Sequence, residues 1–119
     1  MKTVLDTNAI LYFLAGKLSQ PLPKSPFFVS VISEIELLSY HLLDKSAQSK
    51  IEGFLSEITI IGLSESVKKL AILLRRDHQL KLSDAIVAAT APSLGATLVT
   101  NDAKLLRIPN LSSQELRLR

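Results

Sequence analysis

Four carboxylates in this sequence stand where they could do chemistry rather than decorate a surface. Asp6 follows the apolar, β-prone run Thr3-Val4-Leu5 and is itself followed by a hydroxyl and an amide, Thr7 and Asn8. A buried strand that ends in polar residues delivers them to the edge of its sheet, and the C-terminal edge is where open α/β sheets bind ligands. Thr97-Leu98-Val99 repeats the pattern and ends in Thr100, Asn101 and Asp102. Asp84 opens the nearly uncharged segment Leu82 to Ala91, whose composition calls for burial. The first turn of such a helix favours a negative charge, yet a buried carboxylate is costly without a partner. The fourth acid lies on the helix after the second strand and is Glu36 or its rival Glu34. The two are about 200° apart around a helix, and Ile32, Ile35 and Leu38 do not decide which one faces inward. A cluster of carboxylates in a chain with no cysteine, and with His41 and His78 away from these motifs, suits Mg²⁺ or Mn²⁺ rather than Zn²⁺. Against this, Asp6 or Thr7 also reads as a plain cap for a helix starting near Ala9. Capping is the reading adopted for Thr7. Asn8 and Asn101 serve either to orient carboxylates or to stabilise turns.

The acids converge only if strands and helices alternate around them. Ala9 to Ala15 reads as a short helix, buried because it is apolar all round, and closed by Gly16. Three prolines between Lys17 and Pro26 make that stretch a loop. Phe27 to Val29 is a second strand, and Ser30 to Leu43 a helix starting at Ser30 or Ser33. Asp44 to Leu55 is a third helix, with Ile51, Phe54, Leu55 and Ile58 on one face. Ile58 to Ile61 is β-branched and reads as a strand. Ser64 then caps a helix whose stripe Val67, Leu70, Ala71 and Leu74 is buried, leaving Lys68, Lys69, Arg75 and Arg76 on solvated faces. Pro92 and Gly95 should end the helix that Leu82 begins. After the strand Thr97 to Val99, a short helix from Ala103 to Arg107 and an edge strand near Ile108 to Leu111 complete the chain. The pattern predicts an α/β fold in three α/β/α layers, with a mostly parallel four- to five-stranded central sheet, as a single domain over residues 1–119.

Bulk properties narrow the function classes. With 47% apolar and 21% charged residues the chain is expected to be a compact globular protein. It has no tryptophan and two tyrosines, too few aromatics for a base-stacking platform. Absence of cysteine is most simply a reducing cytoplasm, and no apolar run reaches the roughly 18 to 20 residues of a membrane span. There are 14 basic and 11 acidic residues, net +3. Setting the four candidate acids aside leaves seven acids against fourteen bases, a +7 frame around an acidic hole. That combination suits a metal-dependent enzyme acting on a phosphodiester backbone.

Four blocks also carry a family resemblance. Leu5-Asp6-Thr7-Asn8, Ser30 through Leu38, Leu82 through Ala91, and Leu98-Val99-Thr100-Asn101-Asp102 resemble, in order and spacing, the motifs of PIN-domain ribonucleases, especially VapC-like toxins. The resemblance spans essentially the whole chain. Its hydroxyl-x-x-Glu pattern falls on Ser33 and Glu36 and so selects Glu36 over Glu34. It implies that Asp6, Glu36, Asp84 and Asp102 are the catalytic, metal-binding set, with Asn8, Ser33, Thr100 and Asn101 as supporting groups. It further implies an endoribonuclease leaving a 5′-phosphate and a 3′-hydroxyl, a homodimer, and a small antitoxin protein as partner. Two departures stand out. Many relatives have an extra acid where Lys104 stands here, which bears on whether one or two metal ions bind, and Pro92 interrupts a helix that usually runs on. Two rival readings are a non-catalytic PIN-fold module for RNA or protein interaction, and a phosphatase resembling the haloacid-dehalogenase enzymes. The latter needs a second acid where this chain has Asn8.

Overall fold

One or two helices follow each strand but the last through residues 1–119, all of which the computed structural model describes. The elements are β1 (Thr3–Leu5), α1 (Thr7–Leu14), β2 (Phe27–Ser30), α2 (Val31–Leu38), α3 (Lys45–Leu55) and β3 (Thr59–Ile61). They continue with α4 (Glu65–His78), α5 (Leu82–Ser93), β4 (Thr97–Val99), α6 (Ala103–Leu106) and β5 (Ser113–Gln114). The five strands form one sheet in the order β3-β2-β1-β4-β5, and every neighbouring pair is parallel. Strand order therefore reverses at β1: the chain builds outward through β2 and β3, then returns to the other side for β4 and β5. Such a switch point opens a crevice at the C-terminal edge, here between β1 and β4. Leu5 is in register with Val99, so the residues that follow, Asp6 and Thr100, leave the sheet side by side.

Alternation along each strand divides the core in two. Val4 and Leu98 belong to a cluster with Val67 and Ala71 of α4, the buried face of α5 and Leu105 of α6. Leu5, Val29 and Val99 point the other way, into a cluster with Ala9 and Ile10 of α1, Leu37 of α2, and Ile51 and Leu55 of α3. The sheet is thus covered on both faces, giving the expected three layers. Full burial of a side chain such as Leu5 or Val99 is worth about 1.5–3 kcal/mol against leaving it exposed, which fixes strand register, since a one-residue slip would turn each cluster outward. In α5, Ala85 through Ala91 are all buried. Mostly small side chains let this helix lie between α4 and the sheet, and that explains its lack of charge.

Several expectations need correcting. Helix α1 starts at Thr7 rather than near Ala9, and despite its apolar sequence Leu11 and Phe13 stay exposed; Phe13 packs instead on the ring of Phe54. A helix of eight residues on one face of a sheet has only one face to bury, whatever its composition. Helix α2 stops at Leu38, so His41 lies in the turn beyond it rather than on a helix. The last strand is Ser113–Gln114. Ile108 and Leu111 do not form an edge strand but pack into the α4–α5–α6 cluster, where apolar residues three apart anchor a turn. Pro92 is the penultimate residue of α5, and Gly95 takes the left-handed conformation (φ +64°) that ends it. The loop after α1 is pinned by the C-terminal segment through the Leu18–Leu118 bridge and a 2.9 Å bond from Arg119 Nε to the Leu18 carbonyl.

Candidate active site

Each acid reaches the crevice from a different element. Asp6 leaves β1 and caps α1: its Oδ1 accepts from the Ala9 N–H at 2.8 Å, and its Oδ2 accepts from the Thr100 hydroxyl. Only 8% of the residue is exposed. Asp102 caps α6, accepting from the Lys104 N–H at 2.8 Å, while its own N–H donates to Thr100 Oγ1 at 3.0 Å. Thr100 therefore ties Asp6 to the Asp102 backbone. Asp84, half-buried, is the third residue of α5. Glu36 projects from α2 and accepts from the Thr7 hydroxyl at 2.7 Å.

These side chains line one cleft of about 130 Å³, formed by Asp6, Thr7, Asn8, Glu36, Asp84, Val87, Asp102 and Leu105. Glu34 does not line it, so the phase of α2 brings Glu36 to the other acids. A roomier cavity of about 330 Å³ lies beside Gly16 and Arg119 and has no acid in its wall; chemistry rather than size singles out the smaller one.

The acids feel one another. Burial pushes the Asp6 carboxyl above its ordinary value; the bonds from Thr100 and Ala9 pull it down, and repulsion from Asp102 and Asp84 adds to the rise. Asp84 is raised as well, first by burial and then by Asp102 and Glu36, with Lys81 and Lys104 opposing. None of the four forms an ion pair. The pairs in the molecule are Lys68–Glu65 and Arg76–Asp77, both at the surface. The cleft is therefore a concentration of negative charge with lysines at its margin but no cation among the carboxylates.

That donor set fits a hard divalent cation. It is all oxygen, it carries uncompensated charge, and Asp6 is held by hydrogen bonds that fix its orientation. As the side chains stand, no three of the acids are gathered closely enough to form a metal-binding group.

The supporting residues divide. Thr100 and Ser33 join the hydrogen-bonded network around Asp6 and Glu36. Asn8 is exposed and borders the cleft. Asn101 is not brought to the acids: its amide exchanges two bonds with the Leu116 backbone, at 3.2 and 2.8 Å, and so anchors the segment after β5. Neither His41 nor His78 borders the cleft. Sequence reasoning missed Thr7, assigned to capping, whereas Asp6 makes the cap and Thr7 bonds across to α2. Its hydroxyl type was visible; which neighbour it would meet was not.

A sequence profile for the PIN domain matches residues 3–111. No curated protein sequence matches the chain. Among solved structures it is similar to VapBC2 from Rickettsia felis bound to a promoter DNA fragment, at 27% identity and a TM-score of 0.79, covering 97% of this chain and 98% of that one. It is also similar to a toxin–antitoxin complex from Klebsiella pneumoniae, at 27% identity and a TM-score of 0.72 over 92% and 94% of the two chains. DNA-bound VapBC from Salmonella typhimurium shares the fold, with a TM-score of 0.81 at 22% identity over 97% and 98%.

Proposed function

This chain belongs to the PIN-domain family, and from that premise we propose that it is a metal-dependent endoribonuclease, the toxin of a toxin–antitoxin pair, with Asp6, Glu36, Asp84 and Asp102 as its metal-binding catalytic set. The observation that carries the reading is the convergence of four carboxylates from four elements on one cleft, without a pairing cation, in a chain whose remaining charge is +7.

A Mg²⁺ or Mn²⁺ ion, which Asp6, Glu36, Asp84 and Asp102 would hold, would supply Lewis acidity at the phosphate and activation of water. The chain's own residues do the rest. Asp6, locked by Ala9 and Thr100, fixes one donor against the rigid sheet, and Asp84 and Asp102 bring further charge from helix N-termini. Lys81 and Lys104, close enough to act on Asp84, are the bases at the margin of the cleft that would meet RNA phosphates. Water attacks phosphorus and gives up one proton, the bond from phosphorus to the 3′-oxygen breaks, and that oxygen takes up a proton, leaving the water oxygen on phosphorus. The products are a 5′-phosphate and a 3′-hydroxyl.

The similarity at 27% identity to chains from toxin–antitoxin complexes supports a small antitoxin protein as partner. Exposed apolar residues on α4 and at the start of α5, including Ile72 and Leu82, support a homodimer. No helix is long and apolar enough to cross a membrane; a cytoplasmic location is part of the same proposal, from the absence of cysteine. The test is incubation of the purified protein with a mixed RNA pool in Mg²⁺ and in EDTA, with sequencing of the new 5′ ends. Mg²⁺-dependent cuts that vanish in Asp84→Asn are expected. An intact pool under all conditions would leave a non-catalytic interaction module, and hydrolysis of a phosphomonoester instead would make the protein a phosphatase.

A further inference from the structure

Asp6 and Asp102 are each held by a backbone N–H. Glu36 has no such hold: it is a long, exposed side chain, and its one hydrogen bond comes from Thr7. Thr7 Oγ1 lies 2.7 Å from Glu36 Oε1 and 2.9 Å from Ser33 Oγ. A hydroxyl has a single proton. The ionised carboxylate is the stronger acceptor, so the proton of Thr7 goes to Glu36, and the contact with Ser33 is closed by the Ser33 proton on a Thr7 lone pair. Ser33 is completely buried and sits one helical turn before Glu36 on α2. The three groups form a row from the core to the cleft, in which the immobile hydroxyl of Ser33 sets the direction in which Thr7 donates.

We propose that Thr7 is a positioning residue that holds Glu36 in the geometry needed to bind the metal ion, with Ser33 orienting Thr7. The role rests on Glu36 being a ligand in the nuclease reading, and it is distinct from helix capping, which Asp6 performs. Valine at position 7 keeps the shape and removes the hydroxyl; serine keeps the hydroxyl.

The experiment compares wild type with Thr7→Val, Thr7→Ser and the double variant Thr7→Val/Ser33→Ala. Three quantities are measured: Mn²⁺ affinity by electron paramagnetic resonance titration, kcat and KM on RNA, and melting temperature. Thr7→Val should weaken Mn²⁺ binding and lower kcat by about tenfold each, the worth of one hydrogen bond to a charged group at the lower end, with KM for RNA unchanged. Thr7→Ser should restore both. The double variant should regain the melting temperature lost to the orphaned Ser33 hydroxyl while regaining neither kcat nor affinity. Wild-type affinity and kcat in Thr7→Val would overturn the proposal. So would recovery of kcat along with stability in the double variant, or absence of Mn²⁺ binding by the wild type. If the Mn²⁺ series holds but no protein cuts RNA, the positioning role stands and the nuclease reading fails.

Discussion

Replacing Asp6 by asparagine separates the stability of the fold from the work of the cleft. Asparagine caps a helix about as well as aspartate, so the bond from the Ala9 N–H survives. With the Ala9 bond kept on the amide oxygen, the amide nitrogen faces Thr100 and the second bond reverses, the new N–H donating to Thr100 Oγ1; without its charge this bond falls from about 1.5–3 to about 1 kcal/mol. Against that loss stand burial and the repulsion from Asp102 and Asp84. Their combined effect is the larger, because the carboxyl is raised above its ordinary value with both hydrogen bonds in place. Ionised Asp6 is therefore a net strain on the metal-free fold, and an asparagine in its place behaves as a permanently neutral acid. Metal-free Asp6→Asn should melt above wild type at pH 7 while cutting no RNA. The pH dependence follows from the raised value: a carboxyl of this kind stabilises the fold most below its ordinary 3.8, and that contribution is lost as pH rises through the folded value. The gap between variant and wild type should accordingly close as pH falls toward 3.8. Binding of Mg²⁺ at a hundred times Kd adds about 2.7 kcal/mol to the wild type. For a chain of this length the unfolding entropy is about 0.25 kcal/mol/K, so the ion should raise the melting temperature by about 11 °C, and that of the variant by much less. Thermal melts in EDTA and in excess Mg²⁺ decide the matter. A destabilised metal-free variant, together with equal Mg²⁺ shifts in both proteins, would make Asp6 a structural cap and remove the metal site.

Glu36→Gln should lower RNA cleavage by about a hundredfold or more, as expected when a preorganised charged group is lost, whereas Glu34→Gln, outside the cleft, should keep most activity; equal losses in parallel assays would contradict the assigned phase of α2. Affinity for RNA, measured by fluorescence anisotropy on a cleavage-dead variant, should fall on the order of a thousandfold between about 50 and 200 mM salt if about six phosphates are engaged, and a flat dependence would point to another substrate class. Gly95→Ala meets no atom within 4 Å but must hold φ +64°, so about 1–2 kcal/mol of backbone strain should lower the melting temperature by about 4–8 °C with kcat unchanged.

Much was decided by the sequence alone. The β-prone runs Thr3-Val4-Leu5 and Thr97-Leu98-Val99, each followed by polar groups, place Asp6 and Asp102 beyond strand ends, because a strand buried on both faces leaves charged residues to its ends. The uncharged run after Asp84 announces a helix enclosed by its neighbours, and alternation of strand and helix leaves a parallel sheet as the economical topology. The α2 helix was legible only in part. Capping chemistry narrows its start to Ser30 or Ser33, of which Ser30 is the cap, but its end at Leu38 depends on how far the helix can run before it leaves the sheet, which no local pattern encodes. Burial of α1 was over-read for the same reason: composition gives the affinity of a face for the core, and the packing decides how many faces find one. The pairing of Leu5 with Val99 is what sets Thr100 beside Asp6, and the crossing of α1 and α2 is what sets Thr7 beside Ser33 and Glu36. Those contacts join residues 26 to 94 positions apart. Sequence supplies the donors and acceptors, but only the closed sheet and its packed helices bring a particular hydroxyl to a particular carboxylate.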